Sequence, residues 1–157
     1  HPWPGRLDRL YALMARPGIG PVLARLIAAW VTRGYVDRAI AGVFEPQNEP
    51  SGYAEAIGAP LVIRPQSLLA NAQQRTDLRE ELRAMAPLYP RLSLPIEIVH
   101  GTADRIVWPE IHSEALAREV ASAELTLLPG IGHMPHHVAQ DAVIAAIDRA
   151  ALRAGLS

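Results

Sequence analysis

The chain of 157 residues is long enough for one real core; half of it is apolar and a fifth charged, which excludes a disordered chain. A formal net charge of −1, with fifteen basic residues that are all Arg and scattered, argues against a nucleic-acid surface. The absence of cysteine excludes disulfides, thiol catalysis and thiolate metal sites.

The chain opens on His1-Pro2-Trp3-Pro4-Gly5, with no initiator Met and no succession of basic, apolar and small residues, and reads as part of a longer polypeptide without a signal peptide. Leu7 to Ala15 predicts a short helix closed by Pro17-Gly18. Val22, Leu23, Leu26, Ile27, Trp30 and Val31 then recur at helical spacing as one apolar stripe, read as packing between helices. The apolar stretch Ile19 to Val31 is broken by Arg25 and is too short to span a bilayer; a cytoplasmic chain is the expectation. Val36 to Phe44 predicts another short helix and Pro46 to Pro50 a loop. Pro65 suits a helix start, and Gln66 to Met85 is rich in helix formers, with Leu68, Leu69, Ala72, Leu78, Leu82 and Met85 on the buried side. Pro87 and Pro90 end it.

From residue 94 the texture changes to strand, helix, strand, helix. Leu94 to His100 predicts a strand between Pro95 and Gly101; Pro109 opens a helix to about Val120, carrying the one-turn pair Glu114–Arg118. Glu124 to Leu128 predicts a second strand closed by Pro129-Gly130, and Gln140 to Arg153 a last amphipathic helix with Val143, Ile144 and Ile147 on one face. Strand, helix, strand within about 35 residues makes a βαβ unit with parallel strands. The expected class is α/β, in two regions: a helical one over residues 1–93 and a β-α-β-α one over 94–157. Glu97 interrupts Ile96-Glu97-Ile98-Val99, so its carboxylate must find a partner, reach solvent or raise its pKa.

Parallel neighbours end on the same sheet edge, and loops leaving that edge are where ligands bind in open α/β sheets. This topology brings together Asp104, from His100-Gly101-Thr102-Ala103-Asp104, and His133, from Pro129-Gly130-Ile131-Gly132-His133-Met134. A carboxylate that accepts from one imidazole nitrogen selects the tautomer and frees the other nitrogen to take a proton from a nucleophile. Gly130 and Gly132, just before His133, allow the tight turn that aims the ring.

The segments His100-Gly101-Thr102-Ala103-Asp104 and Gly130-Ile131-Gly132-His133 resemble the acid loop and histidine loop of the α/β-hydrolase superfamily, in the same order and 29 positions apart. The opening residues resemble the exit of the preceding strand in lidded members. The resemblance implies the C-terminal part of that fold: a lid over residues 1–93, then the last two core strands. It implies a hydrolase of ester or similar acyl substrates with a serine-type triad. Asp104 and His133 would be catalytic, a small molecule the partner, and no metal or organic cofactor needed. The family's nucleophile elbow, G-x-S-x-G, is nowhere in the sequence, so these residues alone are not expected to catalyse.

An aspartate nucleophile acting on epoxides or carbon–halogen bonds stays open as an alternative. So does a non-enzymatic binding module, in which Asp104 and His133 would not hydrogen-bond. Trp108 and Met134, beside the two loops, and Trp3 are the substrate-binding candidates. His133, His136 and His137 are closely spaced with no acidic or cysteine ligand nearby, and are not read as a metal site. His100 is read as a structural support for the acid loop and His112 as exposed.

Overall fold

The computed structural model describes residues 9–156, so Trp3 lies outside the described residues. In chain order the elements are α1 (Arg9–Met14), α2 (Ile19–Trp30), α3 (Arg33–Phe44), α4 (Tyr53–Ala56), a 3-10 turn at Ala59–Leu61, α5 (Pro65–Met85), a second 3-10 turn at Ala86–Arg91, β1 (Ile96–Gly101), α6 (Ser113–Glu119), β2 (Ala123–Leu128), α7 (Pro135–Val138) and α8 (Gln140–Arg153). The chain forms two compact units, and they do not divide at residue 93. Among the described residues, one holds 9–40 together with 51–82; the other holds 41–50 together with 83–156.

In the helical unit, Gly18 turns the chain between α1 and α2 with a φ of 82°, where a side chain would be strained. A Cβ on Gly20 would overlap the Met14 carbonyl, so glycine sets the approach of the two helices. The buried positions are Met14, Gly20, Ala24, Ala59 and Ala72. The face of α2 turned inward is thus the small-residue face. Val22 and Leu26 are exposed, and Trp30 is 81% exposed, contrary to the packing role expected of it. Close contact through Gly20 and Ala24 leaves no room for the larger side chains on that face. No described helix is long and apolar enough to cross a membrane.

In the second unit β1 and β2 pair in parallel, from Ile96 opposite Ala123 to Gly101 opposite Leu128. α8 packs on β1 and α6 on β2. Phe44, Val120 and Ala146 are the buried apolar centre. Glu97 finds a partner: its side chain is 4% exposed and meets Arg149 at 3.0 Å and Arg153 at 2.7 Å. The Arg153 hydrogen bond outweighs the effect of burial and, with Arg149, holds the Glu97 carboxyl below the usual carboxylate range. Arg153 also donates to the Ser122 carbonyl, tying α8 to the entrance of β2. This pair of arginines decides which face α8 presents. Ala146, Arg149 and Arg153 face the strands, while Ile144 and Ile147 are more than half exposed.

α6 begins at Ser113, not at Pro109. The residues between form hydrogen-bonded turns, the Ile111 and His112 N–H groups donating to the Trp108 carbonyl. Just before them the Asp104 carboxylate captures the N–H groups of Ile106 and Val107 and makes a turn of its own.

Candidate active site

The register sets the site. Gly101 and Leu128 pair as the last residues of their strands, so the loops that follow leave side by side. The Thr102 N–H donates to the Leu128 carbonyl at 3.0 Å and the Ala103 N–H to the Ile131 carbonyl at 2.9 Å. The Gly130 N–H donates to the Thr102 hydroxyl at 2.9 Å. A Cβ on Gly101 would overlap the backbone of Ile131 and Gly132, so only glycine lets the histidine loop lie this close.

Asp104 is 7% exposed, and both of its carboxylate oxygens are used. Oδ1 accepts from the Ile106 N–H at 2.8 Å and the Val107 N–H at 2.9 Å. Oδ2 lies 2.8 Å from His133 Nδ1 and 3.0 Å from His100 Nε2. Burial pushes the Asp104 pKa up, but the hydrogen bonds from His133, Val107 and Ile106 outweigh it and hold the carboxyl below its ordinary value. A carboxylate thus persists in a nearly dry position.

The partners assign the proton positions. His100 Nε2 faces two acceptors, Asp104 Oδ2 and the Val107 carbonyl at 2.9 Å, so this nitrogen carries the hydrogen. His100 thereby ties the end of β1 to both ends of the acid turn. His133 Nδ1 faces an ionised carboxylate and likewise carries hydrogen, which leaves Nε2 as the basic atom of a neutral ring. The His133 side chain is 31% exposed, against 3% for the Asp104 side chain it meets.

A cleft of about 300 Å³ opens beside the ring. Ala103, Arg105 and Ile106 of the acid loop form one wall, and Gly42, Glu45 and Pro46 the other. Trp108 and Met134 do not line it, although both flank the two loops; Trp108 is 56% exposed. The turn at Asp104 brings Arg105 and Ile106 to the rim of this cleft before the chain reaches Trp108. The His136 and His137 rings are tilted by 49° with centroids 4.4 Å apart; burial, then the charges of His137 and His133, lower the His136 pKa and favour a neutral ring.

Sequence reading misses the segment 41–50, taken as part of the helical region. Phe44 is buried and its ring stands 5.7 Å from that of His137. A Cβ on Gly132 would overlap the Glu45 carbonyl. The Gln47 side chain reaches the histidine loop, donating to the Gly130 carbonyl at 2.8 Å and accepting from the Gly132 N–H at 2.9 Å. Contacts across 83 and 85 positions carry no local sequence signal.

No protein-family model matches the sequence, and no curated protein matches it. Solved structures do. Haloalkane dehalogenase DbeA from Bradyrhizobium elkani USDA94 superposes with a TM-score of 0.62 at 17% identity, over 94% of this chain and 50% of its own. DBJA gives 0.61 at 19%, over 94% of this chain and 49% of its own. A thermophilic esterase from Thermogutta terrifontis gives 0.52 at 23%, over 82% of this chain and 48% of its own. The chain has the α/β-hydrolase fold and spans about half the length of the structures it resembles.

Proposed function

We propose that these residues are the C-terminal part of a serine-type hydrolase acting on an ester or similar acyl carbon. His133 is the general base and Asp104 the residue that orients it. The observation that carries this reading is the 2.8 Å contact between His133 Nδ1 and the ionised Asp104, with His133 also lining the open cleft. With Nδ1–H committed to the carboxylate, Nε2 takes the proton of a serine hydroxyl as it attacks the carbonyl carbon. It then returns that proton to the leaving alkoxide or amine. Asp104 stays ionised throughout and stabilises the imidazolium formed between the two transfers. The serine would come from outside the 157 residues, which contain no G-x-S-x-G. The helical unit would serve as the lid, and Trp108 and Met134 would meet substrate beyond the cleft wall. No metal or organic cofactor enters this chemistry.

The test is His133→Ala in the polypeptide that also carries the nucleophile, assayed with p-nitrophenyl esters. Turnover should fall by on the order of 10³-fold or more while the circular dichroism spectrum is unchanged. Ester turnover that survives the substitution would count against the assignment.

A second reading is favoured by the likeness to the haloalkane dehalogenase. With an aspartate nucleophile, the same His133–Asp104 pair would activate water to hydrolyse an alkyl-enzyme ester. Halide release from a haloalkane, with no ester turnover, would select it.

A further inference from the structure

Once strand register has placed the two loops side by side, something must stop the histidine loop from sliding along its neighbour. Thr102 and Ala103 hold it from the acid side, through the Gly130 N–H and the Ile131 carbonyl. The Gly130 carbonyl and the Gly132 N–H, the polar groups on either side of Ile131, are both held by Gln47. One primary carboxamide meets both needs: its Nε2–H donates to Gly130 while its Oε1 accepts from Gly132. Among side chains of this reach, only an amide offers a donor and an acceptor so close together. Gln47 is itself anchored, because its backbone N–H donates to the carbonyl of buried Phe44 at 2.9 Å. Gly132 lies immediately before His133, so a bond to its N–H fixes the Ile131–Gly132 peptide, one unit ahead of the residue that carries the imidazole.

We infer that Gln47 is the positioning residue of the histidine loop, holding His133 Nδ1 in line with the Asp104 carboxylate. This inference rests on the reading of His133 as the base. It adds a residue from a segment distant in sequence, and it makes a demand that a packing role would not: both halves of the carboxamide are needed. Gln47→Ala removes both bonds. Gln47→Glu keeps size and the acceptor for Gly132, but sets a carboxylate oxygen against the Gly130 carbonyl.

The experiment is nuclear magnetic resonance on the polypeptide that also carries the nucleophile, reading two exchange rates near neutral pH. One is the Gly132 amide; the other is the His133 Nδ1–H. The exposed amide of Gln73, bonded to Asp77 at 2.9 Å on α5, supplies the control substitution Gln73→Ala. In Gln47→Ala both rates should rise by about fivefold, the equivalent of one ordinary hydrogen bond. In Gln47→Glu the Gly132 amide should stay protected while the His133 Nδ1–H exchanges faster, and Gln73→Ala should change neither. Should the His133 rate match the native chain in both Gln47 variants, whatever the Gly132 amide does, the inference is overturned. If the native chain itself shows no protected Nδ1–H, the base assignment fails, while Gly132 protection still reports the clamp.

Discussion

At the scale of single residues, Asp104 gathers the most interactions. Four groups donate to one nearly buried carboxylate: two backbone N–H groups and two imidazoles. Asp104→Ala leaves three of the four without their acceptor, His100 keeping the Val107 carbonyl, and the expected cost is about 2–4 kcal/mol, read from urea unfolding. A loss within the scatter of a surface substitution would show that water replaces the carboxylate freely. Asp104 and Glu97 also give a sign to the acid response. Both have pKa values held below the ordinary one, so between the ordinary and the lowered value the unfolded chain binds a proton that the folded chain does not. Their contribution is fully present above the ordinary carboxylate pKa and is lost as pH falls through the lowered folded values. Unfolding midpoints should therefore drop as pH falls below the ordinary carboxylate value of about 4, and Glu97→Gln should flatten that slope. An unchanged slope in that variant would mean that Glu97 titrates alike in both states.

Elements are oriented here by polar contacts as much as by apolar area. Without Glu97, the larger apolar side chains of α8, Ile144 and Ile147, would be the natural ones to bury. Instead Arg149 and Arg153 turn toward the strands and leave both isoleucines outside. Arg153→Met should lower the thermal midpoint clearly, because a nearly buried carboxylate loses its shortest partner. Arg118→Met, which breaks the exposed Glu114–Arg118 pair, should scarcely move it. Equal shifts for the two would contradict this account of α8. At the junction of β1 with the histidine loop, Gly101→Ala forces a methyl group against the Ile131 and Gly132 backbone. A cost of about 1–3 kcal/mol is expected, together with weakened His133 Nδ1–H protection.

Over the whole molecule, the division into units crosses the linear sequence. Residues 41–50 lie between stretches of the helical unit and yet belong with residues 83 onward. Segments that share a core open together, so native-state hydrogen exchange should group 41–50 with β1, β2 and α8, not with α2 and α5. Exchange of 41–50 in step with the helical unit would overturn the division. The helical unit buries chiefly small residues, Ala24, Ala59 and Ala72, beside Met14, so it is expected to be the less protected of the two.

Much of this was readable from residue order alone, wherever the cause is local. α5 begins at Pro65 and ends at Met85 because proline suits a first turn and the following prolines cannot prolong the helix. α8 spans Gln140–Arg153 as its periodicity predicts, and the two strands fall within two residues of their expected bounds. The juxtaposition of Asp104 with His133 also follows from order, since two parallel strands in succession must end on one edge. Tertiary structure alone decided the face of α2, the partners of Glu97 and the place of Gln47. Each depends on groups far apart along the chain: Gly20 against Leu69, Glu97 against Arg149 and Arg153, Gln47 against Gly130 and Gly132. Periodicity shows which side chains are apolar. Which of them are buried depends on what the folded chain brings against them, and a buried carboxylate or a close glycine contact outweighs a larger apolar stripe.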